Sequence, residues 1–150
     1  MRYERIMHKT VLFVCTGNFY RSRFAEAMFN YRAEQIALPW RAYSRGLAVH
    51  LVDEPRPLSL FTVSALAERG ISLDYTGPTY VQVAQEDFDK ADRVIAMDEE
   101  EHRGRMQGLF PHLVDAIEYW KVRDHHFGVT PAEALPAIER KVNELIESLR

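Results

Sequence analysis

Residues Thr10 to Cys15 read Thr-Val-Leu-Phe-Val-Cys, an apolar and β-branched run with no polar alternation. A strand with one wet face alternates, so a run without alternation predicts a strand covered on both faces. Helical spacing follows at once: Phe24, Ala27, Met28 and Tyr31 predict a helix from Ser22 to about Ile36. The remaining chain continues in the same manner. Arg41 to Ser44 is expected to be a short strand, and Leu58, Phe61, Ala65 and Leu66 mark a helix with Gly70 placed for its C-terminal cap. Tyr75-Thr76-Gly77-Pro78 reads as a turn. Asp92 to Met97 reads as another buried strand, with Asp98 capping the next helix and Glu101 three residues on. The Glu99-Glu100-Glu101 run is read as a complement to that helix's dipole rather than as a metal site. Val114 to Tyr119 is the expected last strand. Thr130-Pro131-x-Glu133 opens a final helix, in which Pro136 predicts a kink or a later start. Strands alternating with helices predict an α/β domain with a parallel sheet, which binds ligands beyond the carboxyl ends of its strands. Cys15 stands at the carboxyl end of the first strand.

Composition narrows the function classes. A chain of 150 residues, 47% hydrophobic, is one domain spanning 1–150 that can form a core without disulfides or a structural metal. Its one cysteine can make neither an internal disulfide nor a zinc cluster. A net charge of −3 leaves no electrostatic footprint for nucleic acid. No apolar run approaches the ~20 residues needed to span a bilayer. Val11 to Val14, after the basic stretch Met1 to Lys9, is too short for a signal sequence. The expectation is a soluble cytoplasmic protein without membrane insertion. Its charge is uneven: Arg21, Arg23, Arg32, Arg41 and Arg45 face only Glu26 and Glu34 in that stretch, a basic bias that suits an anionic ligand or a solvated face.

Between Cys15 and Arg21 lie Thr16, Gly17, Asn18, Phe19 and Tyr20, and Ser22 follows at the helix start. A loop of that length can turn its backbone N–H groups inward to hold a tetrahedral oxyanion, helped by the helix N-terminus. Gly17 permits close backbone approach and Asn18 tolerates left-handed geometry. Arg21 can fork onto two phosphate oxygens. The same positive field favours the thiolate of Cys15, the nucleophilic form, and Ser22 can donate a hydrogen bond to the sulfur.

Val11 to Ser22 resembles the signature loop of the low-molecular-weight protein tyrosine phosphatases. Less specific likeness continues through Ser44-Arg45-Gly46-Leu47 and Asp92 to Asp98. The resemblance implies a four-stranded parallel sheet with helices on both faces and the phosphate-binding loop after strand 1. It implies hydrolysis of protein phosphotyrosine through a phosphocysteine on Cys15. Arg21 and the amides of Thr16 to Ser22 would bind phosphate, and an aspartate in a late loop would act as general acid and then base. That position falls on Asp124, in Val122-Arg123-Asp124-His125-His126-Phe127, where His125 replaces the family's usual proline. Neither metal nor organic cofactor is expected, because the loop supplies the positive charge. Two histidines and one aspartate within three residues are read as poor metal-ligand geometry. The implied partners are tyrosine-phosphorylated proteins, with inorganic phosphate as product.

The chain departs from the family in three places. Tyr20 replaces a second cysteine before the arginine. The Tyr75–Pro78 turn replaces a His-x-x-Arg stretch that supports the loop asparagine, which leaves Ser44 as the candidate support for Asn18. The rim around the substrate is expected to comprise Phe19, Tyr20, His50 and His126, less aromatic than usual. Alternatives are a phosphocysteine phosphoryl carrier or a non-catalytic oxyanion-binding module. Within the same fold stand an arsenate reductase, disfavoured by the single thiol, and a phosphoarginine phosphatase, which tends to carry threonine where Phe19 stands.

Overall fold

The structure is a computed structural model that describes residues 7–150. The first six residues of the basic N-terminal stretch lie outside the described residues. The elements run β1 (Lys9–Cys15), α1 (Arg21–Gln35), β2 (Trp40–Gly46), α2 (Leu60–Glu68), α3 (Gln85–Asp89), β3 (Arg93–Ala96), α4 (Glu99–Leu109), β4 (Glu118–Tyr119) and α5 (Pro131–Leu149). The sheet is four-stranded and parallel, in the order β2-β1-β3-β4. Its register sets Cys15 beside Gly46 and Val14 beside Ala96.

β1 is central, and its two parities serve two cores. Val11, Phe13 and Cys15 pack with Phe24 and Met28 of α1, Leu66 of α2 and Ile138 and Val142 of α5. Leu12 and Val14 pack on the other face with Phe88 of α3, Met106 of α4 and Val114. All four residues from Val11 to Val14 are fully buried, which is why the run carries no polar alternation. At about 1.5–3 kcal/mol per large apolar side chain, this strand alone contributes several kcal/mol of burial. The chain leaves β1 towards β2 on one side and later enters β3 on the other. The strand order therefore reverses at β1, and the crevice above its carboxyl end is where such sheets take ligands.

Gly70 takes φ +67° just past α2, the left-handed geometry of a helix C-terminus. Two expectations change. Of Val114 to Tyr119 only Glu118 and Tyr119 pair as strand; Val114 reaches the core from a turn, and apolar spacing alone does not separate the two. α5 begins at Pro131 and passes through Pro136 unbroken. The N–H that Pro136 lacks would have met the carbonyl of Ala132, in the exposed first turn, so little is lost. No helix among the described residues is long and apolar enough to cross a membrane.

Candidate active site

The loop from Cys15 to Arg21 closes around the sulfur. Asn18 sits at φ +54°, and its backbone N–H points at Cys15 Sγ at 3.3 Å. Ser22 Oγ lies 2.9 Å from the same sulfur. The Asn18 amide donates to Ser22 Oγ at 2.9 Å, which occupies an acceptor lone pair and leaves the Ser22 proton for the sulfur. Two donors therefore converge on Sγ.

Asn18 is held on every side. Its Nδ2 also donates to Ser44 Oγ at 2.9 Å, and its Oδ1 accepts from the Val81 N–H at 2.8 Å. Ser44 in turn donates to Glu26 at 2.6 Å. Beneath the loop, the buried Arg23 donates to Thr76 Oγ1 at 2.6 Å and to the carbonyls of Pro57 at 3.1 Å and Gly77. Thr76 donates to Glu26 at 2.8 Å. Ser44 thus takes the supporting place expected of it, and the Tyr75–Pro78 turn joins the network through Thr76 and Gly77. Burial pushes the Glu26 carboxyl up, while hydrogen bonds from Ser44 and Thr76 and the charge of Arg23 oppose it.

Gly46 is the tightest point of this scaffold. A Cβ there would stand 2.8 Å from the Thr16 carbonyl oxygen and 2.7 Å from a Val49 methyl. Leu47 N–H and Ala48 N–H bind the Cys15 and Thr16 carbonyls at 2.9 and 2.8 Å, so the loop cannot retreat cheaply. Gly46→Ala is expected to lower stability by about 1–3 kcal/mol and phosphate affinity at least about tenfold, because the displaced Thr16 carbonyl distorts the ring of amides. Thermal unfolding and phosphate titration check this; wild-type affinity would show that the loop tolerates the shift.

Arg21 is buried, and one edge of its guanidinium is fixed: NH1 and NH2 reach the two Glu101 oxygens at 2.9 and 2.6 Å, and NH1 also reaches the Val122 carbonyl at 2.8 Å. Its Nε is buried without a partner and lies 4.0 Å from Asp124 Oδ1. Burial opposes the guanidinium's charge, but Glu101, Cys15 and Asp124 raise its basicity above the ordinary arginine value. Glu101 also accepts from Thr16 Oγ1 at 2.5 Å and stands 3.2 Å from His102 Nε2. The Asp98 N–H donates to His102 Nδ1, which assigns the ring proton to Nε2, facing Glu101 and Thr16. Burial works against the Glu101 charge, but hydrogen bonds from His102 and Arg21 hold its carboxyl well below the usual range.

The three consecutive acids of α4 thus have three arginine partners: Glu99 with Arg103, Glu100 with Arg123, and Glu101 with Arg21. Dipole complementarity describes their position, but Glu101 belongs to the site. Spacing gave no sign of it, since its partner lies on another element. Arg23, with Glu26 one helical turn on, carried the only local signal of the buried support.

Cys15, Thr16, Gly17, Phe19, Tyr20, Arg21 and Asp124 line one cleft of about 700 Å³. Asn18 and Ser22 lie buried beneath it rather than in its wall. Tyr20 is 5% exposed, its ring edge-on to Phe61 and His125, so it is a wall of the cleft rather than an exposed rim. Burial, then the charge of Asp124, pushes its hydroxyl up to about 12. Phe19 and His126 line the cleft. His50 does not line it; Leu51, Val52, Asp53 and Glu54 do. The Val49–Leu51 turn is a tight 3-10 helix, where successive side chains are about 120° apart, so His50 and Leu51 face different ways.

These features define an α/β protein with a thiol in the loop after β1 and an arginine and an aspartate beside it. The family model for low molecular weight phosphotyrosine protein phosphatase matches residues 10–150, and the chain belongs to that family. It is 39% identical over 93 residues to the low molecular weight protein-tyrosine-phosphatase YfkJ of Bacillus subtilis, covering 61% of this chain and 57% of that protein. Against the low molecular weight phosphotyrosine protein phosphatase of Gallus gallus it is 32% identical over 93 residues, 61% of this chain and 56% of the relative. The chain thus aligns with little more than half the length of these curated relatives. The crystal structure of YfkJ superposes with a TM-score of 0.76 at 29% identity, covering 97% of this chain and 96% of that one. The YwlE arginine phosphatase shares the fold, with a TM-score of 0.75 at 24% identity over 93% of this chain and 95% of that one.

Proposed function

We propose that this chain hydrolyses phosphotyrosine in proteins through a phosphocysteine intermediate. One observation carries the reading: Cys15, Asp124 and the unpartnered Nε of Arg21 share one cleft. Cys15 Sγ attacks phosphorus in line with the leaving phenoxide. The loop amides and Arg21, through the edge that Glu101 leaves free, take the charge on the equatorial oxygens. Asp124 as the acid gives its proton to the leaving oxygen, and as the base it takes one from the water that releases phosphate. Phe19, Tyr20, Phe61, Leu51 and Val52 make walls suited to a flat aromatic ring.

Asp53 and Glu54 at the same mouth favour a second reading, a phosphoarginine substrate whose guanidinium carries positive charge. Rates on matched phosphotyrosine and phosphoarginine peptides separate the two. The broader test is para-nitrophenyl phosphate with chelator present. Many turnovers support a hydrolase, one stoichiometric burst marks a phosphoryl carrier, and no release marks a binding module.

Arg21→Lys is expected to cost at least ~10²-fold in kcat, because a fork held by Glu101 becomes a point charge on a flexible stem. A mild loss would mean that Arg21 serves only its pairing with Glu101.

A further inference from the structure

We infer that Asp124, His125 and His126 form a binding site for a divalent cation of the zinc class, and that filling it inhibits the enzyme. The inhibitory half rests on the role of Asp124 proposed above; the binding half does not.

The three residues each offer one ligand atom, and these atoms lie within 4.8 Å of one another. His126 Nε2 is 3.8 Å from Asp124 Oδ2, and His125 Nε2 is 4.0 Å from Asp124 Oδ1. With bonds of about 2.0–2.1 Å, a tetrahedral metal holds its ligand atoms about 3.4 Å apart. The separations exceed that by up to about 1.4 Å, so closure needs the three ligands to share shifts of about 1 Å. The 3-10 turn of His125 to Phe127, ended by Gly128 at φ +87°, tilts the two rings into neighbouring positions with centroids 4.3 Å apart.

The parts differ in freedom in a way that suits capture. The His125 ring is fixed edge-on between Tyr20 and Phe61, with centroids 5.6 and 5.7 Å away. His126 is 76% exposed and rotates at little cost to packing. Two imidazoles and one carboxylate are the donors that a borderline cation prefers, and they leave a fourth position open. Arg21 lies 4.0 Å from Asp124 Oδ1 and opposes a second positive charge, whereas Asp53 and Glu54 in the same cleft favour one.

A carboxylate bound to a metal holds no proton, so a filled site removes the acid that serves the leaving group. The test is calorimetric titration of Zn2+ into the Cys15→Ser variant, which keeps all three ligands and lacks the competing thiolate. One equivalent should bind, and adding His126→Ala should weaken it at least about tenfold, since even outer-shell partners of a metal are worth 10–100-fold. In the unmodified chain Zn2+ should inhibit turnover, reversibly with chelator. His126→Ala should raise the half-inhibiting concentration at least about tenfold, measured against that variant's own metal-free rate. Absence of binding to Cys15→Ser overturns the site, as does equal affinity with and without His126. A chain that binds Zn2+ but shows no metal-free turnover keeps the site and instead overturns the phosphatase reading.

Discussion

Cys15→Ser is expected to abolish turnover while phosphate binding stays at least as tight. The nucleophile and the cradle are separate parts of this loop. The proposed cradle is the loop's backbone amides, and the Asn18 side chain that holds the loop is fixed by Ser44 and by the Val81 N–H without the sulfur. The two donors aimed at Sγ, Asn18 N–H and Ser22 Oγ, find an oxygen in its place. A hydroxyl is a far weaker nucleophile than a thiolate, and an alkoxide is a poorer leaving group from phosphorus. Removing a negative sulfur from beneath a dianion also removes a repulsion, so affinity for phosphate should hold or rise. Steady-state rates on para-nitrophenyl phosphate and calorimetric titration with inorganic phosphate give the two readouts. Measurable turnover in the variant would show that the chemistry does not pass through Cys15. Loss of binding together with turnover would show that the sulfur holds the loop together.

That separation was half visible in the sequence. β1 and its loop were legible because burial on both faces leaves an unalternated apolar run, and because Cys15, Gly17, Asn18, Arg21 and Ser22 each meet a geometric demand within the loop itself. The support beneath was not. Glu101 stands in a run of three acids at a helix start, where any of them complements the dipole. Which one turns towards Arg21 depends on how α4 is rotated about its axis, and packing of Met106 against Leu12 and Val14 sets that rotation. His50 shows the converse error: a polar aromatic residue at about the right distance from the loop, turned away by one step of a 3-10 turn. The β4 boundary was lost for a related reason, since Val114 is buried without being a strand residue. Sequence reports what is buried and what is chemically able; rotation about an element's axis comes from contacts distant in the chain.

Asp124→Asn is expected to slow release of phenol from phenyl phosphate by ~10²–10⁴-fold and the first-turnover release of nitrophenoxide from para-nitrophenyl phosphate much less. Phenoxide leaves poorly and needs its proton in the transition state, whereas nitrophenoxide bears its own charge. The amide keeps the shape of the carboxyl and its place in the cleft but has no acidic proton to give. Asp124 is well placed for acid catalysis. Its side chain is 20% exposed, open to both the cleft and water, and it stands 4.0 Å from the unpartnered Arg21 Nε. The second step should slow as well, since the same carboxylate would activate water; with para-nitrophenyl phosphate that loss appears as a burst followed by a slower steady rate. Asp115, the nearest other aspartate before it in the chain, cannot substitute. It is 85% exposed, pairs with Arg103 at 2.7 Å, and does not line the cleft. Equal losses in the phosphorylation step of the two esters would remove Asp124 from acid catalysis. The role would then pass to Asp53 or Glu54, the remaining acids of the mouth, and the corresponding amide variants would have to show the leaving-group dependence that Asp124→Asn lacked.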